Sequence, residues 1–180
     1  MKKRKGLLFA IVFGLVLITD FYLFGLSIAA FGWHLRHGFH REVYGFMFKV
    51  PLFYEESDHR TVNAISIYSF PSPIHRESSS ISVQFPPGSA KKPLVALTEQ
   101  QAQRIGLGFL GERSARLAGR TGKCIEYAQQ ETRTQSAILA HLQPMRITCQ
   151  FGDVDATFDG TRNAVPEFYE FLESAGEVKR

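Results

Sequence analysis

Residues 112–131 read ERSARLAGRTGKCIEYAQQE and carry the clearest structural signal in the chain. Two runs that suit β-strands, Glu112 to Leu117 and Lys123 to Glu131, flank the segment Gly119-Arg120-Thr121-Gly122. Short segments rich in glycine mark turns, because glycine adopts backbone conformations that other residues avoid. The stretch therefore predicts a strand, a turn and a second strand.

The same kinds of signal recur on both sides of this segment. Alternation of apolar and polar residues with a period of two predicts strands. The predicted strands are Tyr44–Val50, Asn63–Phe70, Ile81–Phe85, Met145–Phe151 and Val154–Phe158. Thr98-Glu99-Gln100-Gln101 is a capping-box sequence that opens a helix from Glu99 to about Ile105. Pro166–Ala175 has apolar residues at helical spacing and predicts a terminal helix. This order predicts an α+β fold, an antiparallel sheet with helices packed on it.

The order of these elements also resembles a known superfamily. The resemblance lies in Phe48-Lys49-Val50-Pro51, the capped middle helix, the strand ending in Leu117-Ala118-Gly119 that turns into Cys124-Ile125-Glu126-Tyr127, and a final helix with a Phe-x-x-Phe/Leu pattern. Over about Tyr44 to Ala175 the chain is similar to the PsbP-like and DcrB-like superfamily. The resemblance implies an exported or lumenal accessory protein. That superfamily has no shared catalytic residue set, so no residue role carries over.

The N-terminal region has the features of a membrane anchor. Lys2-Lys3-Arg4-Lys5 precedes the apolar stretch Leu7 to Phe31, which has 25 residues, enough to cross a bilayer. Its only charge, Asp20, costs about 2.5–3.5 kcal/mol on an insertion scale, whereas its sixteen Leu, Ile, Val and Phe residues contribute about 5–10 kcal/mol in favour. The positive-inside rule then places the N-terminus in the cytoplasm.

These signals divide the chain into four parts. They are a cytoplasmic basic tail (1–6), a transmembrane anchor (7–31), a linker (32–43) and an extracytoplasmic α+β domain (44–180). We expect a single-pass protein whose C-terminal domain lies in a bacterial periplasm. The alternative is a secreted protein whose signal peptide is cleaved after Ser27-Ile28-Ala29 or Ile28-Ala29-Ala30. A buried helix of a cytosolic protein is a third interpretation. Asp20 either pairs with a partner inside the membrane or is merely tolerated there.

The charge balance argues against a nucleic-acid partner. The chain carries 21 basic and 17 acidic residues, for a net charge of +4. Four of the basic residues and one acid, Asp20, lie in the first 33 residues, so the remainder has a net charge of about +1. Its charges alternate in sign and form no basic patch. The basic character therefore reports the N-terminal tail, and we expect no nucleic-acid binding.

The two cysteines, Cys124 and Cys149, suit an oxidising compartment, where they would form a disulfide. If their strands pair about a centre near Ser136-Ala137, the two positions lie opposite each other. Residues that lie opposite each other on paired strands point to the same face. Cys124 lies on the face of its strand opposite the apolar Ile125 and Tyr127, so side-chain alternation argues against this pairing. The alternatives are a shifted register, a bulge, or two separate core cysteines.

Two motifs outside the strands suggest ligands, but each has a simpler explanation. His34, His37 and His40 have helical spacing, yet nearby glycines weaken a helix and no carboxylate or cysteine completes a metal site. They fit a solvated linker. Gly106 to Gly111 matches the G-x-G-x-x-G pattern, but it follows a helix, whereas the dinucleotide fingerprint follows a strand. It fits a helix stop followed by a flexible connector.

Asp153, Asp155 and Asp159 could supply oxygen ligands to calcium. Residues two apart in a strand share a face, so these acids more simply form the polar face opposite Val154 and Phe158. A charged outer face also discourages aggregation between sheets.

Together these features favour a membrane-tethered extracytoplasmic accessory or interaction module without catalytic activity. We expect it to contact the lipid bilayer through residues 7–31 and to contact another envelope protein, with no cofactor and no metal. The alternative is an extracytoplasmic enzyme or small-ligand-binding protein. Its site would be assembled from scattered polar residues, namely Glu55, Glu56, His59 and His141.

Overall fold

The structure is a computed structural model, and it describes residues 13–14, 30–57, 63–69, 78–85, 99–104, 106–129 and 143–178. Asp20, His59 and His141 lie outside these residues, as does the expected anchor apart from residues 13–14 and 30–31. Among the described residues, no helix combines the length and the apolar character needed to cross a bilayer.

From residue 30 onward, the described chain contains ten strands and three α-helical segments. The strands are β1 (His40–Val43), β2 (Phe46–Lys49), β3 (Tyr54–Glu56), β4 (Ala64–Ser69), β5 (Ser80–Gln84), β6 (Leu107–Leu117), β7 (Arg120–Gln129), β8 (Pro144–Phe151), β9 (Val154–Thr161) and β10 (Gly176–Glu177). The helices are α1 (30–37), α2 (Glu99–Arg104) and α3 (Val165–Glu173), and a 3-10 turn, Arg162–Ala164, precedes α3.

The strands form two antiparallel sheets. The large sheet has seven strands in the order β3-β4-β5-β9-β8-β7-β6, and the small sheet has three in the order β1-β2-β10. The α+β class and the antiparallel pairing are confirmed. The sequence predicts one sheet, whereas the structure has two. The β6–β7 turn is tighter than expected: Ala118 and Gly119 both have positive φ, at 48° and 79°. Such two-residue turns match the twist of a hairpin, so β7 begins at Arg120.

The main core lies between the large sheet and a layer made of α3 and the small sheet. The α3 rings pack into it: Phe171 stacks on Phe48 with ring centroids 5.1 Å apart, and Phe168 lies 5.4 Å from Phe158. Tyr169, also on α3, donates a hydrogen bond of 2.6 Å to Glu126 on β7. Burial is the main cause that raises the pKa of this tyrosine, and the Glu126 carboxylate raises it further. The terminal helix is therefore confirmed as a cover for one face of the sheet.

Strand β7 is buried on both faces, and this explains the cysteine pairing. Ile125 and Tyr127 pack under Ala102 of α2, on the face away from the main core. Cys124 points into the main core and lies directly opposite Cys149 of β8, and the two form a disulfide. The objection from alternation fails because an apolar pair on one face of β7 leaves the other face free to be buried as well.

The structure corrects the expectation for the segment that follows α2. Gly106 ends α2 with a φ of 72°, as predicted for a helix stop. Leu107 to Gly111, expected to be a flexible connector, instead belongs to β6 and pairs with β7. Leu110 is the extra residue of a bulge at that point, and Gly111 follows it directly.

The segment 32–43, expected to be a solvated linker, is also ordered and packed. It is helical to residue 37 and then forms β1, which pairs with β2. His34 is only 1% exposed, and its Nε2 donates to the carbonyl oxygen of Pro51 at 3.0 Å. That contact joins residues 17 positions apart, so local sequence alone could not indicate it.

The disulfide should contribute measurably to stability. It closes a separation of 25 residues, for which the chain-entropy model gives about 3 kcal/mol. We expect reduction of the full chain to lower the free energy of unfolding by about this amount, measured by urea denaturation. The Cys124→Ala/Cys149→Ala double variant should unfold near the reduced protein and should not respond to reductant. Equal urea midpoints for the oxidised and reduced wild type would contradict the assignment.

Gly122 of β7 is expected to tolerate no side chain. A Cβ there would overlap the Gln150 carbonyl oxygen and the Phe151 ring of β8. We expect Gly122→Ala to cost about 1–3 kcal/mol, as overpacking generally does, measured as a urea midpoint. The control is Gly111→Ala on β6, where a Cβ meets open space. The same midpoint for both variants would show that β7 and β8 do not pack this closely.

Candidate functional site

The face of the large sheet that points away from the main core carries a continuous line of polar and aromatic side chains. Strand pairing places one residue from each strand directly beside the next. In order from β3 to β6 the line is Glu55, Tyr68, Ser80, Asp159, Arg146, Tyr127 and Phe109, and we call it the outer row. Side chains alternate between faces along each strand, so all seven share one face.

Two pairs within the outer row are held by hydrogen bonds. The Tyr68 hydroxyl donates to Glu55 at 2.7 Å. The Arg146 Nε donates to Asp159 at 2.5 Å, and both side chains of this ion pair remain about half exposed. These contacts cross strands at directly opposed positions, where charge pairs support a sheet. They also fix the direction in which the polar groups of the row point.

The β6 end of the outer row is apolar. Tyr127 is buried under α2, and Phe109 meets its ring edge-on at 6.2 Å between centroids. Phe109 itself is 61% exposed, on a strand that forms the edge of the large sheet. A large exposed ring beside polar side chains is a feature of protein interaction sites.

An open depression of about 690 Å³ lies over the centre of the outer row. Tyr68, Ser80, Arg146 and Asp159 line it, together with Ser79 and neighbouring residues. The depression offers a cation, a carboxylate and several hydroxyl groups within one concave surface. It can therefore accept hydrogen bonds and donate them.

A second line of small polar side chains runs beside the outer row. The hydroxyl oxygens of Ser66 and Ser82 lie 3.0 Å apart, and Thr157 and Thr148 continue the line across β9 and β8. These side chains are short, so this part of the face is flat. Two residues from Thr157 along β9, Asp155 lies between Gln84 of β5 and Gln150 of β8.

The carboxyl group of Asp155 is in an unfavourable environment. Its Oδ1 is buried and has no hydrogen-bond partner among the described residues. Burial raises the pKa of this carboxyl, and a hydrogen bond from Gln150 opposes the shift.

The structure separates the two glutamates that the sequence had grouped. Glu55 lies in the outer row, whereas Glu56 points to the opposite face and forms an ion pair of 2.9 Å with Arg41. Neighbouring residues of a strand point to opposite faces, so the pair cannot form one site. The other members of that predicted site, His59 and His141, lie outside the described residues.

The candidate metal ligands are also spread apart. Asp153 lies at the β8–β9 turn beside Arg120, and Asp159 pairs with Arg146. His37 donates a hydrogen bond to the Trp33 carbonyl oxygen, and His34 is buried against Pro51. In the described part of the chain, no three residues that are His, Cys, Asp or Glu are grouped so that they could hold a metal ion.

Arg146 and Tyr68 are the central residues that sequence reasoning did not select. Each occupies a polar position in a strand whose other face is apolar, so the alternation already marked it as outward-facing. What the alternation could not show was the order of the strands, which sets the two residues on either side of Asp159 and Ser80.

The fold is similar to solved structures. No protein-family model matches the sequence, and no curated protein does. The solution structure of cyanobacterial PsbP (CyanoP) from Synechocystis has 11% identity and a TM-score of 0.39, and the match covers 74% of this chain and 86% of that one. A crystal structure from Bacteroides thetaiotaomicron has 9% identity and a TM-score of 0.32, covering 76% of this chain and 46% of that one, less than half its length. The likenesses concern the fold alone.

The raised pKa of Asp155 has a consequence for stability. A carboxyl whose pKa is higher in the folded state costs stability above that pKa, and the cost vanishes below the unfolded value near 4. Asp155→Asn should therefore stabilise the protein at pH 7 by less than about 1 kcal/mol, because the group is partly solvated. The gain in thermal midpoint should shrink as the pH falls to 3.

Asp159→Asn is the matched control, because it changes the same residue type on the same strand but removes an ion pair. We expect no stabilisation from it at pH 7. A gain for Asp155→Asn that is equal at pH 7 and pH 3 would contradict the assigned burial of the carboxylate.

Proposed function

We propose that this protein is a membrane-tethered extracytoplasmic interaction module without catalytic activity, which contacts another envelope protein through the outer row. The observation that carries the proposal is the composition of that row. An exposed aromatic ring, a half-exposed arginine and a tyrosine hydroxyl lie along one face of a rigid sheet. Aromatic residues and arginine are enriched at protein interfaces and supply much of their binding energy.

The rigidity of the face supports the same proposal. The side chains beside the outer row are short and carry hydroxyl groups, and seven hydrogen-bonded strands hold the face in place. Little conformational freedom is lost when a rigid surface binds, so more of the contact energy remains as affinity.

The proposed tether and compartment rest on the N-terminal sequence and on the cysteines. Residues 7–31 are long and apolar enough for one span, and the four cations before them favour a cytoplasmic N-terminus. The Cys124–Cys149 disulfide is of the kind that persists in oxidising compartments, which supports an extracytoplasmic domain.

The depression over the outer row favours a second candidate function, the binding of a small molecule. Its volume of about 690 Å³ lies in the range of ligand sites. The Arg146–Asp159 pair would suit a ligand that carries both a negative and a positive group. An envelope protein would cover the whole outer row, whereas such a ligand would contact only its centre.

Site-specific photocrosslinking in native membranes tests the proposal. A benzophenone amino acid at Phe109 should form an adduct with one envelope protein, because this ring lies on the exposed rim of the face. The same probe at Glu170, exposed on α3, is the control and should not form that adduct. Arg146→Gln should lower the Phe109 adduct about tenfold by removing one central contact.

Two outcomes would contradict the interaction module. One is the same set of adducts from Phe109 and Glu170, and the other is an adduct that Arg146→Gln leaves unchanged. A small amphoteric molecule that raises the thermal midpoint of the wild type, but not of Arg146→Gln, would favour the second candidate function.

A further inference from the structure

We propose that an apolar surface at the N-terminal end of the domain rests in the headgroup boundary of the lipid bilayer and holds the domain in one orientation. This surface, which we call the collar, consists of Phe31, Leu35, Phe39, Leu52 and Phe53. Each of the five side chains is between 39% and 71% exposed. The inference rests on the proposed tether and goes beyond it, because a tether alone leaves the domain free to tumble.

The collar is one surface because His34 joins its parts. Phe39 stacks on the His34 ring at 4.5 Å between centroids. The hydrogen bond from His34 to the Pro51 carbonyl oxygen brings the turn with Leu52 and Phe53 to the same place. The buried His34 thus contacts both segments that carry these exposed apolar side chains.

Helix α1 gives the collar its direction. Ala30 and His34, four residues apart, are buried, whereas Phe31 and Leu35, also four apart, are exposed. Residues with this spacing share one side of a helix. The helix therefore has one side committed to the domain and a neighbouring apolar side that is available.

The occupant follows from where the apolar segment ends. The predicted span runs from Leu7 to Phe31, so the first residue of the collar is also the last residue of the span. Leu35 follows four residues later, about 6 Å along a helix at 1.5 Å per residue. That depth corresponds to the interfacial layer, where apolar side chains of surface helices insert about 5–10 Å.

The residues beside the collar fit the same layer. Trp33 is the only tryptophan in the chain, and indole rings favour the membrane interface. The Arg41 guanidinium lies 4.8 Å from the Trp33 ring and pairs with Glu56 of β3. These contacts connect α1 to both sheets, so contact of the collar with lipid would orient the whole domain. Weak contact between the collar and lipid is enough to orient the domain, because the tether keeps the collar next to the bilayer.

A spin label on the full chain in phosphatidylcholine and phosphatidylglycerol vesicles tests the inference. The native cysteines are bridged and buried, so a cysteine introduced as Leu52→Cys is labelled alone. Power saturation with oxygen and a water-soluble nickel complex reports the depth of the label. We expect the ratio of oxygen to nickel accessibility at Leu52 to be several-fold higher than at an aqueous control.

Asp153→Cys supplies that control. Its partner Arg120 lies over the Phe46 ring, next to the β1–β2 turn, whereas the collar surrounds the opposite end of this hairpin. Adding Leu35→Glu and Phe53→Glu should bring the Leu52 ratio down to the control value. Both positions are exposed, so the variant should fold, and circular dichroism checks this.

Flotation of the vesicles separates the two proposals. If the wild type floats with the vesicles but its Leu52 label matches Asp153, the tether holds and the collar proposal is wrong. The collar proposal is also wrong if the glutamate variant keeps the high ratio. If the protein does not float, the tether fails and the collar proposal fails with it.

Discussion

The structure depends on the burial of β7 from both sides. On one side Cys124 is bonded to Cys149 in the main core, and on the other Tyr127 packs under α2. A shift of one residue would exchange these sides and place a disulfide where the helix must pack. The disulfide and the packing under α2 therefore both fix the β7–β8 register. That register also sets the positions of Arg146 and of every residue further along the outer row.

The same two-sided burial separates what could be predicted from the sequence from what could not. The hairpin of β6 and β7, the helix at Glu99 and the terminal helix follow from local patterns, because turn residues and apolar spacing act over a few residues. Counting positions places the two cysteines opposite each other but leaves their pairing open. The pairing is not resolved by the sequence because the sequence does not show that α2 covers Ile125, which lies more than 20 positions away. Contacts between distant segments are what alternation cannot encode.

His34 and Leu107 illustrate that limit. Both lie in short segments rich in glycine, and glycine lowers the expectation of regular structure. The structure nevertheless buries His34 against Pro51 and places Leu107 in an eleven-residue strand, because a long-range partner supplies the hydrogen bonds. The candidate site was predictable in the same partial way. The alternating burial of β8 and β4 is consistent with outward-facing Arg146 and Tyr68, but only the strand order brings their strands to either side of β5 and β9.

Strand β3 relates the two surfaces that carry the proposals. Its residue Glu56 binds Arg41, which covers Trp33 of α1, while the adjacent Glu55 accepts the hydrogen bond from Tyr68 in the outer row. One peptide bond therefore joins the contacts beside the collar to those of the outer row. Alternation sends the two side chains to opposite faces, so β3 contacts the α1 side of the molecule through Glu56 and the outer row through Glu55. A bilayer that held the collar would then also determine the direction in which the outer row meets a partner.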